Sequence, residues 1–209
     1  MGYDLDPRQK GLNFSMSVNL VKGQKVNLQK SDGGTLNKVV VGLGWDEAKR
    51  GLFGPKNDID CDASAFVCKN GRLTSNFDIV CYSNLCHGSK AVQHMGDNLT
   101  GAGDGDDEQI VVDLQQLPSE YDRIVFTVNI YQAQSRKQHF GMIQNAFIRI
   151  VDADNHQELC RYNLSENYSD MTAMIFGEIY RHNGQWKFNA IGQATKDNDI
   201  RSLADHFRE

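Results

Sequence analysis

The chain has 209 residues, 40% hydrophobic and 9% aromatic with only three prolines. That composition is too apolar and evenly mixed for a disordered or fibrous protein, and the length suffices to bury a core without disulfide or metal staples. A mean hydropathy of -0.52 and the absence of any apolar run near the roughly 20 residues that span a bilayer exclude a transmembrane helix.

Residues 1–15, which include MGYDLDPRQKG, lack the apolar stretch of a signal peptide. They differ in character from Met16 to Gly23, which reads as a natural protein start. Residues 1–15 are therefore set aside as an N-terminal extension or a segment added upstream, and 16–209 are expected to form a single domain. From there the periodicity is mostly two, in short runs separated by Gly, Asn, Asp or Ser clusters. Ten strands are expected: Gln24–Leu28, Lys38–Leu43, Ala63–Cys68, Ile79–Tyr82, Gln109–Leu114, Ile124–Tyr131, Asn145–Val151, Glu158–Asn163, Ala173–His182 and Trp186–Gly192. Asn183-Gly184 suits the positive φ of a type I′ hairpin turn, and Asp152 to Asn155 is a further turn signal. Helical signals follow Leu117-Pro118, cover Gln134 to Gln138 and close the chain from Asn198 to Phe207. In that tail Ile200, Leu203, Ala204 and Phe207 form one stripe, expected to pack on the domain itself, with Asp197 or Asn198 as the cap. The fold class is mainly β: a β-sandwich of two antiparallel sheets with a few short helices and a C-terminal helix.

The net charge of -5 comes from 22 basic and 27 acidic residues. Gly96 to Glu108 alone holds five acids and no base, so the rest of the chain is balanced. Bare carboxylates at that density repel phosphate and anionic lipid, which argues against direct nucleic-acid binding. A second acidic run, Asp58-Ile59-Asp60-Cys61-Asp62, precedes a strand; in extended chain its three carboxylates share one face at steps of about 7 Å. In the longer run Asp104, Asp106 and Glu108 alternate in the same way, with Asp107 between, Asp97 and Asn98 upstream, and glycines that allow tight folding. Carboxylate, amide and carbonyl oxygens are hard donors that suit Ca²⁺ better than the rigidly octahedral Mg²⁺. Neither run is an EF-hand: counted from Asp58, Ala63 stands where glycine is required and Lys69 where glutamate is. Any site must be assembled from loops of a β scaffold.

Signals for catalysis are thin. Gly42-Leu43-Gly44 lacks the third glycine of a dinucleotide fingerprint, there is no G-x-S-x-G, and a metal-dependent hydrolase would need a positioned base that nothing identifies. The protein is expected not to be an enzyme. Five cysteines form no C-x-x-C pair and fit a reducing compartment. Cys61, Cys68 and Cys81 lie in strand-like apolar runs and are expected as core residues. Trp45-Asp46 is expected to be a core aromatic followed by a loop acid.

Several stretches together resemble one family. They are Met16-Ser17-Val18, Val41 to Asp46, Asp60 with Asp62 to Phe66, the block Gly96 to Glu108, Asn145 to Arg149 and Phe176 to Arg181. On these the chain is similar, from Met16 onward, to the TerD family of tellurium-resistance and stress proteins. The resemblance implies a cytoplasmic bacterial β-sandwich that binds about two Ca²⁺ ions and serves in resistance to tellurite and oxidative stress. It also implies association with other tellurium-resistance proteins at the inner membrane rather than catalysis. An alternative within it is a Ca²⁺-dependent module bridging to an anionic membrane surface or partner protein. Carried over by motif, the ligand candidates are Asp60, Asp62, Asp97, Asn98, Gly101, Gly103, Asp104, Asp106, Asp107 and Glu108. Departures are the segment before Met16, the insertion-like Lys49 to Asn57 and the number of cysteines.

Overall fold

The computed structural model describes residues 17–30, 33–47, 59–97 and 105–208. Among them are twelve strands in two six-stranded sheets. The first sheet holds, in spatial order, β1 (Val18–Leu20), β10 (Glu158–Asn163), β9 (Ile143–Asp152), β3 (Lys38–Glu47), β7 (Glu108–Asp113) and β6 (Val92–Asp97). The second holds β2 (Lys25–Asn27), β12 (Gln185–Thr195), β11 (Ala173–His182), β8 (Tyr121–Ile130), β4 (Cys61–Lys69) and β5 (Ile79–Val80). All ten expected strands are present, Glu158–Asn163 and Ala173–His182 with the expected bounds and the others with shifted ends. The two that were not expected are β1 and β6, and β1 pairs parallel to β10, so the first sheet is mixed rather than purely antiparallel. At the β11–β12 hairpin Asn183 and Gly184 both take positive φ, 51° and 76°, as the Asn-Gly signal requires.

Alternation decides what is buried. Ala63, Ala65 and Val67 of β4 and Ile124, Phe126 and Val128 of β8 face the first sheet's Val39, Val41, Leu43, Ile110, Ile148 and Ile150 in the main core. The opposite faces of β4 and β8 are also apolar: Phe66, Cys68 and Val125 join Leu73, Ala173 and Ile175 in a second core. The C-terminal helix α2 (Ile200–Asp205) covers it with Leu203 and Ala204, and Phe207 meets Phe66 edge to face at 5.7 Å. The stripe therefore packs on its own sandwich as expected. The cap is Asp199, one residue beyond the expected position, whose carboxylate accepts from the Arg201 and Ser202 N–H groups in a reciprocal box with Ser202. The only other α-helix among the described residues, α1 (Ala133–Arg136), lies in the β8–β9 connection.

The register puts the acidic segments at one rim. Glu108, where β7 begins, pairs with Leu43 near the end of β3 and with Asp97 at the end of β6. Cys61, where β4 begins, pairs with Ile130 at the end of β8.

Candidate metal centre

At the rim the two acidic segments meet across the sandwich. β5 is short and pairs only with Ala65 and Phe66, so the edge of β4 is bare at Ala63. The Ala63 N–H donates instead to Glu108 Oε2, stitching β4 of one sheet to β7 of the other. Glu108 is only 7% exposed, and its remaining neighbour is the His94 ring, with Nε2 at 3.4 Å from the same oxygen. His94 Nδ1 accepts the Gly96 N–H at 3.0 Å, so in the neutral ring Nε2 carries the proton. That Nε2 is buried and makes no hydrogen bond.

Beside Glu108 stands Asp107. Its own N–H donates to the Leu43 carbonyl at 2.9 Å, and its Oδ2 accepts the Trp45 N–H at 2.6 Å, where β3 bulges between Gly44 and Asp46. Partial burial raises the Asp107 pKa; the Trp45 N–H opposes the rise, and the charges of Asp46, Glu108 and Asp106 add to it. The Cys61 thiol, between the two acidic runs, is pushed well up by burial and then by Asp62, Glu108, Asp60 and Asp107. Four carboxylates of the two segments thus act on one buried atom. A cation beside them is Arg136 of α1, 3.8 Å from Asp60 Oδ2 in a largely exposed pair, which contributes little in water.

Asp106 behaves differently. Both its oxygens are held by Arg149 of β9, at 2.8 Å from Nε and 3.0 Å from Nη2, and Gln109 Nε2 donates to Oδ2 at 3.0 Å. Burial alone would lower the Arg149 pKa, but the Asp106 hydrogen bond and charge raise it above its ordinary value. The carboxylate lies over Gly42, where an added Cβ would overlap it; at Gly44 an added Cβ would overlap the Gly105 carbonyl and the Phe147 ring. The Gly-Leu-Gly of β3 is thus a flat seat for the acidic loop.

Of the ten candidate ligands, the structure brings Asp60, Asp62, Asp107 and Glu108 to the rim beside Cys61, and places Asp106 on the outer face of the first sheet. Asp97 is described only in its backbone, opposite Glu108. Asn98, Gly101, Gly103 and Asp104 lie outside the described residues, as does Asp58. No group of three or more His, Cys, Asp or Glu side chains gathers at metal-holding distances among the described residues. Sequence reasoning weighed His94 only as a soft ligand with Cys86 and His87, and missed Arg149 as a partner of the acidic run. The signal for Arg149 was a lone base in an apolar strand, but its partner lies 43 residues away. Trp45 packs against the core and Asp46 accepts from Asn145 Nδ2 at 2.8 Å, in keeping with the structural role expected of both.

The cysteines are all free, and four of the five are buried, including the three expected in the core. Burial raises the Cys68 and Cys160 thiols to about 12. Cys86 is exposed, and the ring of the adjacent His87 turns inward to Asp78. No helix among the described residues is long and apolar enough to cross a membrane.

Fold and rim together define a class: a two-sheet β-sandwich with carboxylates of both sheets converging at one end. Within that class, residues 16–207 match the TerD domain, and the chain belongs to the TerD domain family. It is 46% identical over 199 residues to the stress response protein SCP2 of Bacillus subtilis (strain 168), covering 92% of this chain and 100% of that protein. It is 50% identical over 179 residues to the tellurium resistance protein TerD of Serratia marcescens, covering 85% and 91%. The crystal structure of a homologue of telluride resistance protein (TerD) from Streptomyces coelicolor A3(2) superposes with a TM-score of 0.61 at 21% identity, covering 81% of this chain and 96% of that one. That last likeness bears on the fold alone.

Proposed function

We propose that the chain is a calcium-binding protein of stress and tellurium resistance, acting by binding rather than catalysis. Ions at the rim would cross-link the two acidic segments. The observation that carries this reading is Glu108: a carboxylate removed from water, given one backbone N–H, faced by the His94 ring at 3.4 Å, and set close to Asp107, Asp62 and Asp60. Gathering buried carboxylates in this way is costly, and a divalent ion would supply counter-charge to the group. The donors are all hard oxygens, which fits Ca²⁺. Asp60, Asp62, Asp107 and Glu108 are the described side chains that would hold it; Asp97, Asn98, Gly101, Gly103 and Asp104 are proposed on the family motif, for about two ions in all. The bound ion's chemistry here is electrostatic cross-linking.

Cytoplasmic location is part of the proposal, supported by five free thiols. Direct reduction of tellurite by thiolates is disfavoured, since burial holds Cys61, Cys68 and Cys160 in the thiol form. Work alongside other tellurium-resistance proteins is part of the proposal on the strength of the family resemblance. A second reading, calcium-dependent contact with an anionic membrane or partner surface, is favoured by Met95 and Tyr131, 56% and 42% exposed at the same rim.

The test is calorimetric titration of chelator-stripped protein with Ca²⁺, using Mg²⁺ as control, together with melting in each state. Binding of about two ions is expected, with a stabilisation of about 2.7 kcal/mol at a hundredfold excess over Kd. Asp60→Asn or Asp104→Asn should reduce that gain. An absence of both heat and thermal shift in the intact protein would sink the calcium reading.

A further inference from the structure

We propose that Asp106 is the anchor of the acidic loop rather than an ion ligand through its side chain, and that Arg149 is the positioning residue that holds it. This rests on the calcium reading for its binding consequence, but its structural basis is independent. The Asp106 side chain is 1% exposed and meets the Arg149 guanidinium through two parallel hydrogen bonds, the geometry that fixes direction as well as distance. The pair crosses Gly42, the strand position paired with Arg149, where the missing Cβ lets the carboxylate lie against the sheet.

Arg149 is itself held. Its Nη1 is 3.4 Å from Glu158 Oε2, Ser17 Oγ donates to Glu158 Oε1 at 2.6 Å, and Arg161 lies 4.0 Å from Glu158. Arg161 in turn stacks on Phe147, 3.5 Å from the ring centroid. The outer face of β9 and β10 thus forms a rigid post. Next to the anchored residue, Asp107 and Glu108 turn toward the rim. The clasp sets where β7 starts, and so where both carboxylates stand, before any ion arrives. A side chain with both oxygens committed to a guanidinium is a poor ligand, because binding an ion would break a buried bidentate pair.

The two roles predict opposite signs for Arg149. If Arg149 positions the loop, Arg149→Gln weakens Ca²⁺ binding about 10-fold to 100-fold, as loss of an outer support does at metal sites. Asp106→Asn should weaken it by a similar factor, and the double variant no more than either alone, since all remove one clasp. If Asp106 is a ligand and Arg149 only a competing cation, Arg149→Gln tightens binding, Asp106→Asn weakens it far more, and the proposal falls. Arg149→Lys keeps the charge but loses the fork, so intermediate weakening is expected; it carries the test if Arg149→Gln fails to fold. Hydrogen exchange of the Asp107 N–H in metal-free protein is the second readout. It should be faster in Arg149→Gln than in wild type, and unchanged exchange overturns the clasp. Should the intact protein bind no Ca²⁺ at all, the calcium reading fails while exchange still decides the clasp.

Discussion

Two buried carboxylates, Asp78 and Glu108, are each 7% exposed, and they are served differently. Asp78 Oδ1 accepts from the Tyr121 hydroxyl and faces His87 Nε2, both at 3.1 Å, while Oδ2 accepts from Thr74 at 3.3 Å. The His87 ring is further fixed through Nδ1, which accepts the Ser89 N–H at 3.2 Å with Ser89 Oγ at 2.7 Å, and by Tyr121 edge-on at 4.9 Å. The Ser89–His87–Asp78 order looks like a catalytic relay, yet the serine hydroxyl also accepts the Ala91 N–H within a local turn, and the group pins the segment after β5 to the start of β8. Glu108 has one backbone donor, the His94 ring at 3.4 Å and otherwise acidic company. The same carboxylate chemistry at the same burial is thus met by three side-chain partners at Asp78 and by one backbone N–H and one imidazole among like charges at Glu108.

The widest separation between the two regions should come from Asp78→Ala. It strands His87, Tyr121 and Thr74 together, and each buried polar group left without its partner costs about 1 to 3 kcal/mol. Chemical denaturation should show that loss equally with Ca²⁺ and with chelator, whereas a calcium-dependent loss would erase the distinction. Next in size is Gly42→Ala. The new Cβ must displace Asp106 from Arg149, and overpacking of this kind costs about 1 to 3 kcal/mol. Here the loss should be accompanied by weaker Ca²⁺ binding, and an unperturbed titration would show that the seat is not coupled to the rim.

Gly42 also illustrates what the chain does and does not disclose in one dimension. Alternating apolar runs made the long strands legible, because each buries one face at period two and β4 and β8 bury both. β1 was not legible: three residues suffice only because β10 offers an edge about 140 residues later in the chain, where Val18 meets Cys160. β6 was hidden by its own composition, Val-Gln-His-Met-Gly-Asp, whose period breaks at a bulge between His94 and Asp97. At the rim, residue type alone announced hard oxygen donors, but not which carboxylate the fold had already spent. Asp106 and Asp107 are neighbours in a run of acids, and only the approach of β9 gives one an arginine and leaves the other among like charges. Likewise Gly42 and Gly44 resembled a truncated phosphate-binding turn, while their use is to let a loop lie flat.

A smaller effect tests the helix that closes the second core. Asp199→Ala removes the carboxylate oxygen that accepts both N-cap hydrogen bonds of α2 and should cost about 1 kcal/mol at neutral pH. The hydrogen bond from the Ser202 N–H, opposed by slight burial, keeps the Asp199 pKa below its ordinary 3.8. Its stabilisation is therefore present above that value and is lost as pH falls through the lowered one. The difference between Asp199→Ala and wild type should shrink on acidification below about pH 4; a constant difference would mean that the carboxylate charge is not what caps the helix.

Asp107 should show the opposite slope, and by a smaller amount because water reaches its side chain. Its native pKa is raised above 3.8, first by partial burial and then by Asp46, Glu108 and Asp106 against the Trp45 N–H. Between the ordinary value and the raised one the native state holds more protons than the unfolded chain. Stability from this group is thus full below the ordinary value and declines as pH rises through the raised one. Asp107→Asn cannot ionise, so in metal-free protein its melting temperature should gain on wild type as pH rises from 3 toward 7. Adding Ca²⁺ should reverse the order at pH 7, since the ion turns the same charge from a liability into a ligand. Parallel melting profiles of the two proteins without metal would show that the charge at Asp107 is already neutralised by the protein, and the contrast with Asp78 would then rest on Glu108 alone.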